Sequence, residues 1–362
     1  MLNQRRSIRP LSLVIMSKLS VYLASISLSL TLSVSSIRAQ LDRPSSREQR
    51  SQTVENARRL LEAGKTDAAI ELLTDASKTS NKPKISYLLG LAYHQKRDYI
   101  HAVEHLSATV KAMPETEGDY RQAIQLLGIS HYLLGHHREA IPYLEKAGRL
   151  IPDSDEITYA LGVCYIQTRD TDKSREAFAR MFKVQQSSAA AYLINAQMLV
   201  RQQFEELAEP ELKKALELDP KLPQVNFLLG EMAIYHAQID RGIALLQKEI
   251  EINPGFALAY YWLGEAYSRQ VKWDEAIAPL QKSIWLNPYF SGPYIVLGKI
   301  YLKKEELPNA ESMLRRATQM DPNNFSAHHL LAQVLQRANR PEEAKREFET
   351  AEKLRTSADK QQ

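Results

Sequence analysis

His101 and His105 stand four residues apart, a spacing that puts two imidazoles on one helix face and could hold a metal ion. No carboxylate or cysteine is placed in sequence to complete such a site. His136-His137 lies beside Gly135 in a turn-like stretch, and His328-His329 opens a helical run, so both pairs read as solvated or packing residues. The chain contains no phosphate-cradling glycine loop, no Gly-x-Ser-x-Gly elbow and no His-Glu-x-x-His zinc helix. Catalysis, a resident metal and a cofactor are therefore not expected. Cys164 is the sole cysteine, so no intrachain disulfide can form, and its apolar surroundings make it a small buried hydrophobe. Asn324-Phe325-Ser326 is a formal glycosylation acceptor that matters only in a eukaryotic secretory route.

The elements that carry these residues repeat. In Ala257 to Phe290, residues 257–270 and 274–286 have apolar groups at helical spacing on either side of a polar turn. Leu263-Gly264, Tyr267, Ala276, Leu280 and Pro288 return 34 residues later as Leu297-Gly298, Tyr301, Ala310, Leu314 and Pro322. Two short helices joined by a tight turn form an antiparallel hairpin, and Gly264 and Ala276 fall where its helices cross. Glycine within a helix costs roughly 1 kcal/mol relative to alanine, so its periodic return has a packing reason. Asn287-Pro288 ends the second helix because proline lacks the N–H that a further turn needs.

Counted at the glycine position, the register runs Ala57, Gly90, Gly128, Gly162, Ala196, Gly230, Gly264, Gly298, Ala332, with a four-residue insertion around Glu117–Tyr120. Small residues recur twelve positions later, from Ala69 through Ser174 and Gly242 to Ala344. This combination of small, aromatic and proline positions resembles the tetratricopeptide repeat family, with nine units over residues 50–358. The resemblance implies an all-α fold, an α-solenoid of tandem antiparallel helix hairpins forming a right-handed superhelix. Two stretches depart from it: Gln185–Ser188 stands in place of the proline stop, and Asn195-Ala196 in place of Leu-Gly. A softer joint is expected between them. Pro341 opens a charged last helix able to serve as the polar outer face of the array.

Residues 1–39 hold no acidic residue. They run from basic residues through the apolar stretch Leu19–Val34 to Ala39, the pattern of a secretory signal peptide. An uncleaved anchor is the alternative, and either Met1 or Met16 could be the start. Residues 40–49 read as a flexible tether and residues 359–362 as a disordered tail. The leader carries five of the 47 Lys and Arg, leaving 42 against 43 Asp and Glu. The basic excess is therefore the leader's and gives no support to a nucleic-acid partner. The expectation is an exported chain, periplasmic or secreted, whose only dealing with the membrane is the transient leader.

In the family, the first helix of each hairpin lines a concave groove. The resemblance then assigns to that groove the fifth-position residues Tyr87, Tyr159, Leu193, Phe227, Tyr261 and Ile295, with packing against the next repeat as the competing role. The thirteenth position reads Arg201, Tyr235, Arg269, Lys303 and Arg337, joined by Lys299 one turn before Lys303, while its N-terminal counterparts Gln95, Leu133 and Gln167 are uncharged. A cationic edge of this kind would favour a protein or peptide carrying an acidic segment. The competing role for Arg269 is a local pair with Glu265. The implied function is a non-catalytic scaffold assisting a cell-envelope or secreted complex. An accessory role in exopolysaccharide export or glycan handling is the alternative.

Overall fold

The computed structural model describes residues 46–79 and 83–359, and among them there are eighteen helices and no strand. The leader expected over 1–39 and most of the tether lie outside the described residues. The first helix nevertheless begins at Ser46, within the expected tether, because Arg47, Glu48, Gln49 and Arg50 are good helix formers. At the other end the last helix continues to Asp359, where a tail was expected to begin.

The chain divides into two compact units, residues 1–136 and 137–362. In the first, α1 (Ser46–Glu62) pairs with α2 (Thr66–Thr79), α3 (Pro83–Gln95) pairs with α4 (Tyr99–Ala112), and α5 (Gly118–Leu133) packs on both members of the second hairpin. The second unit starts with α6 (His137–Leu150), which packs on α7 (Asp155–Gln167). Hairpins follow: α7 with α8 (Thr171–Met181), α9 (Ala189–Arg201) with α10 (Glu205–Leu218), and α11 (Val225–Tyr235) with α12 (Ile239–Ile252). The series ends with α13 (Ala257–Arg269) and α14 (Trp273–Leu286), α15 (Ser291–Lys303) and α16 (Leu307–Met320), and α17 (Phe325–Arg337) and α18 (Pro341–Asp359).

The glycine of the repeat has a definite opponent. A Cβ on Gly264 would sit 2.5 Å from Cγ of Leu280, and one on Gly298 would sit 2.4 Å from Cγ of Leu314. Both leucines are fully buried, so the first helix must come down onto the second without a side chain between them. The turn inside each hairpin is as regular as the helices. Arg169, Gln203, Ala237, Val271, Glu305 and Asn339 all have φ between 56° and 65° in the left-handed region. The turn closes by hydrogen bonds such as Lys272 N to Tyr267 O and Val271 N to Ser268 O, which satisfy carbonyls at the end of α13.

Before Pro220, Pro254, Pro288 and Pro322, the preceding residue leaves the helical region: Asp219, Asn253, Asn287 and Asp321 have φ between −142° and −131° with ψ of 76° to 95°. α8 has no such proline. It ends after 11 residues, and Lys183 at φ 55° makes the stop instead. The prolines inside α6 and α10, Pro142 and Pro210, face solvent, where a missing hydrogen bond is least costly.

The Asn195 position, expected to be soft, is instead tied by polar contacts. Its carbonyl accepts from the Ser174 hydroxyl at 2.7 Å, and its amide donates to Glu211 at 2.8 Å and to the Thr171 carbonyl at 3.2 Å. Glu211 also receives Arg175 at 2.7 Å, and the Arg175 guanidinium lies 4.2 Å from the Tyr192 ring centre. Asn195 and Ser174 are wholly buried, and Arg175 and Glu211 nearly so.

Candidate binding groove

The first helices α11, α13, α15 and α17 touch one another in sequence, so their outward faces form one continuous surface within the second unit. The fifth-position residues do not all reach it. Tyr87, in the first unit, is buried at 1% exposure. Its hydroxyl donates to Gln122 at 2.5 Å, and burial pushes its pKa up to about 12. Phe227 is buried at 7% and meets Phe256 edge-to-face at 4.9 Å. Both are removed from the groove, Tyr87 by its bond to Gln122 and Phe227 by reaching the aromatic residue that begins the next hairpin. Tyr261 does the same with Phe290 at 4.9 Å while staying half-buried. Tyr159 is half-buried with its ring edge-to-face on Phe178, and Leu193 and Ile295 are half-buried. The row therefore mainly packs one repeat against its neighbour.

The thirteenth-position row is more open, but its members differ. Arg269 donates to Glu265 at 3.0 Å, and Arg337 donates to the Leu302 carbonyl at 3.3 Å, closing off the end of the preceding first helix. Arg269 thus takes the competing local role, and Arg337 is engaged by an acceptor that its spacing does not predict. Arg201 and Lys303 are exposed and Lys299 is half-buried, and none of the three makes an ion pair among the described residues. Tyr235 is 59% exposed, and its ring meets Trp262 at 5.3 Å and 65°.

Sequence reasoning passed over a neighbouring carboxylate. Glu231, one turn before Tyr235 on α11, is half-buried, and desolvation with the nearby Glu205 raises its pKa above the ordinary carboxylate value. The only available signal was an acidic residue inside the apolar helix Val225–Tyr235. Between α12, α13 and α14 lies another feature without a sequence signal. A cleft of about 640 Å³ is lined by Ile250, Tyr260, Leu263, Pro279 and Lys282. Nearby, Trp285 is 72% exposed beneath the Lys282 ammonium at 3.8 Å, and Tyr289 is 83% exposed.

The histidines have structural partners. His101 bonds Asp98 at 2.7 Å, and both His101 and His105 stack on Tyr93, at 5.0 and 5.5 Å. Burial holds the His105 pKa below its usual value. His328 bridges Glu347 at 2.6 Å and the Pro322 carbonyl at 3.0 Å. Among the described residues no three His, Cys, Asp or Glu side chains gather as metal ligands. Cys164 is fully buried, and its thiol is pushed up to about 12 by desolvation. Asn324 caps α17, accepting from Ala327 N at 3.0 Å.

Two models described as tetratricopeptide repeat match the chain, one over residues 54–115 and 227–289, the other over 132–197 and 301–357. No curated protein sequence matches it. Similar solved structures include MamA 41-end from Desulfovibrio magneticus RS-1, 21% identical with a TM-score of 0.43, covering 47% of this chain and 96% of that one. YrrB, titled a TPR protein with an unusual peptide-binding site, is 20% identical with a TM-score of 0.42, covering 50% of this chain and 93% of its own. The APC/C hetero-tetramer Cut9-Hcn1 is 18% identical with a TM-score of 0.43, covering 75% of this chain and 52% of its own.

Proposed function

We propose that this chain, which belongs to the tetratricopeptide repeat family, is a non-catalytic scaffold whose second unit binds a protein segment along its first helices. The observation that carries this reading is the state of the cations on that surface. Lys299 and Lys303 stand together on α15 with no carboxylate partner among the described residues, on the same first-helix surface where Arg269 is already taken up by Glu265. An acidic stretch of a partner would supply the missing charge, guided by attraction that salt screens. The leader-like composition of residues 1–39 supports a proposed role outside the cytoplasm, in assembly or retention of a cell-envelope or secreted complex.

The test is capture from the native host by the wild type and by a Lys299→Glu/Lys303→Glu variant, with bound proteins identified by mass spectrometry. Loss of a salt-sensitive partner from the variant, with helical content unchanged, supports the reading. The same loss from a Gln95→Glu/Gln167→Glu control would contradict it. Intact mass of protein from the host is expected to begin near Gln40, and full-length chain held in the membrane would contradict export by cleavage.

A second reading, glycan handling, rests on two exposed aromatic residues, Trp285, whose ring lies under the cleft residue Lys282, and Tyr289 just after the same helix. Aromatic faces stack on sugar rings, so oligosaccharide binding abolished by Trp285→Ala, with the lysine variant unaffected, would favour it.

A further inference from the structure

The groove surface is not uniformly cationic. Glu231 makes no hydrogen bond or ion pair among the described residues, although it is half-buried and Glu205 adds like charge to its surroundings. The other groove carboxylate nearby, Glu265, is satisfied by Arg269 at 3.0 Å. A carboxylate partly removed from water without a cation is costly, so its partner is to be sought outside the chain.

The surroundings of Glu231 define what that partner is. Tyr235, one helical turn on, presents a ring that is 59% exposed. It meets Trp262 at 5.3 Å and 65°, and Trp262 in turn meets Tyr261 at 5.6 Å and 66°. Burial raises the Tyr261 hydroxyl's pKa, with the charges of Glu265 and Glu231 adding to the rise and Arg269 opposing it. The exposed Tyr235 ring, in contact with Trp262 and through it with Tyr261, thus stands one helical turn from an uncompensated carboxylate. A planar cation can lie against an aromatic face while donating two hydrogen bonds to a carboxylate, and guanidinium does both better than ammonium. With one free carboxylate and no cluster of three ligands, the corner is unsuited to a metal ion.

Taking the scaffold reading as its basis, we infer that the Glu231–Tyr235–Trp262 corner binds an arginine side chain of the same partner segment whose acidic residue reaches Lys299 and Lys303. The corner and the lysines are separated by two successive first-helix contacts, α11 to α13 and α13 to α15. Packed helices lie roughly 8–10 Å apart, so the two subsites are separated by about 16–20 Å. An extended chain covers that in about five or six residues, at roughly 3.3 Å each. The partner segment therefore carries opposite charges at its two contact points, with an arginine five or six residues from an aspartate or glutamate.

An array of synthetic 14-residue peptides tests this, with one Arg and one Asp placed two to ten residues apart in a Gly/Ser/Leu background. It is probed with the full chain without its leader and with the variants Glu231→Gln, Tyr235→Ala and Lys303→Glu, each checked for unchanged helical content. Binding is expected to peak at a separation of five or six and to fall about tenfold in both Glu231→Gln and Tyr235→Ala. A peptide with Asp but no Arg that binds as tightly as the best pair, or pairs that bind Glu231→Gln undiminished, would overturn the inference. If Lys303→Glu still weakened such binding, the scaffold reading would survive. Binding by no peptide of the array would count against both. Competition by tetramethylammonium with no preference for Arg peptides would overturn the arginine assignment and make the corner a small-cation site.

Discussion

Asn195→Leu separates a structural account of the fourth and fifth hairpin positions from one based on the repeat alone. The equivalent residue is leucine in Leu161, Leu229, Leu263, Leu297 and Leu331, so repeat logic makes this a restoring change worth roughly 0.5–2 kcal/mol of added stability. The contacts give the opposite sign. The substitution removes a charge-assisted bond to Glu211 at 2.8 Å, worth about 1.5–3 kcal/mol, and a neutral bond from Ser174 at 2.7 Å, worth about 1 kcal/mol. Both remaining groups are buried and cannot turn to water. The apolar gain of leucine offsets about 1.5 kcal/mol, leaving a net loss of about 2 kcal/mol. Repeat arrays open piecewise, so native-state hydrogen exchange of α8 and α9 is the appropriate assay. Their amides should exchange about 30-fold faster, while α15 to α18 change little. Unchanged or slower exchange would refute the claim that this network holds the two hairpins together.

Three further outcomes follow from the same geometry. Val271 is β-branched, 64% exposed and held at φ 64°, so Val271→Gly should stabilise the chain by about 1 kcal/mol in urea denaturation, a destabilisation meaning that the turn is not strained. Gly264→Ala drives a methyl to 2.5 Å from buried Leu280 and should cost about 1–2 kcal/mol, whereas Gly148→Ala, whose Cβ would lie 3.7 Å from Ile157, should add about 0.5–1 kcal/mol; equal effects would contradict the crossing. The Glu231 carboxyl is raised from 4.5, so the folded chain holds this proton more tightly than the unfolded one, and stability falls as pH rises through the interval above 4.5. Glu231→Gln should therefore melt about 2 °C higher at pH 7.5 and no higher at pH 4, and a gain that grows toward acid would be the wrong sign.

The hairpins were legible because their cause is local. A residue without a side chain opposite a large one, as with Gly264 and Leu280, must recur wherever two helices cross. The place of the turns was legible but their left-handed backbone was not, because residues as different as Arg169, Ala237 and Val271 adopt it, imposed by the hairpin and not announced by residue type. For Phe227 and Tyr261 the fifth-position row takes its competing role, packing against the next repeat. Helical spacing fixes the direction of Phe227 and Tyr261, yet only the structure shows Phe256 and Phe290 waiting at the start of the next hairpin. The pair of Arg269 with Glu265 was legible as an i,i+4 spacing, whereas Arg337 meets the Leu302 carbonyl 35 residues away, which spacing could not show. Asn195 read as a defect because its partners, Ser174 and Glu211, lie 21 and 16 residues away in sequence.

Site-specific photo-crosslinking in the native host tests the central claim, that the first-helix surface of the second unit holds a protein segment. A benzophenone amino acid replacing Lys303, or replacing Tyr235, should crosslink to one and the same partner segment, identified by mass spectrometry. The same group replacing Trp285 on the second-helix side should give no protein adduct. Adducts at the Trp285 position with none at Lys303 or Tyr235 would place the binding surface elsewhere and contradict the account.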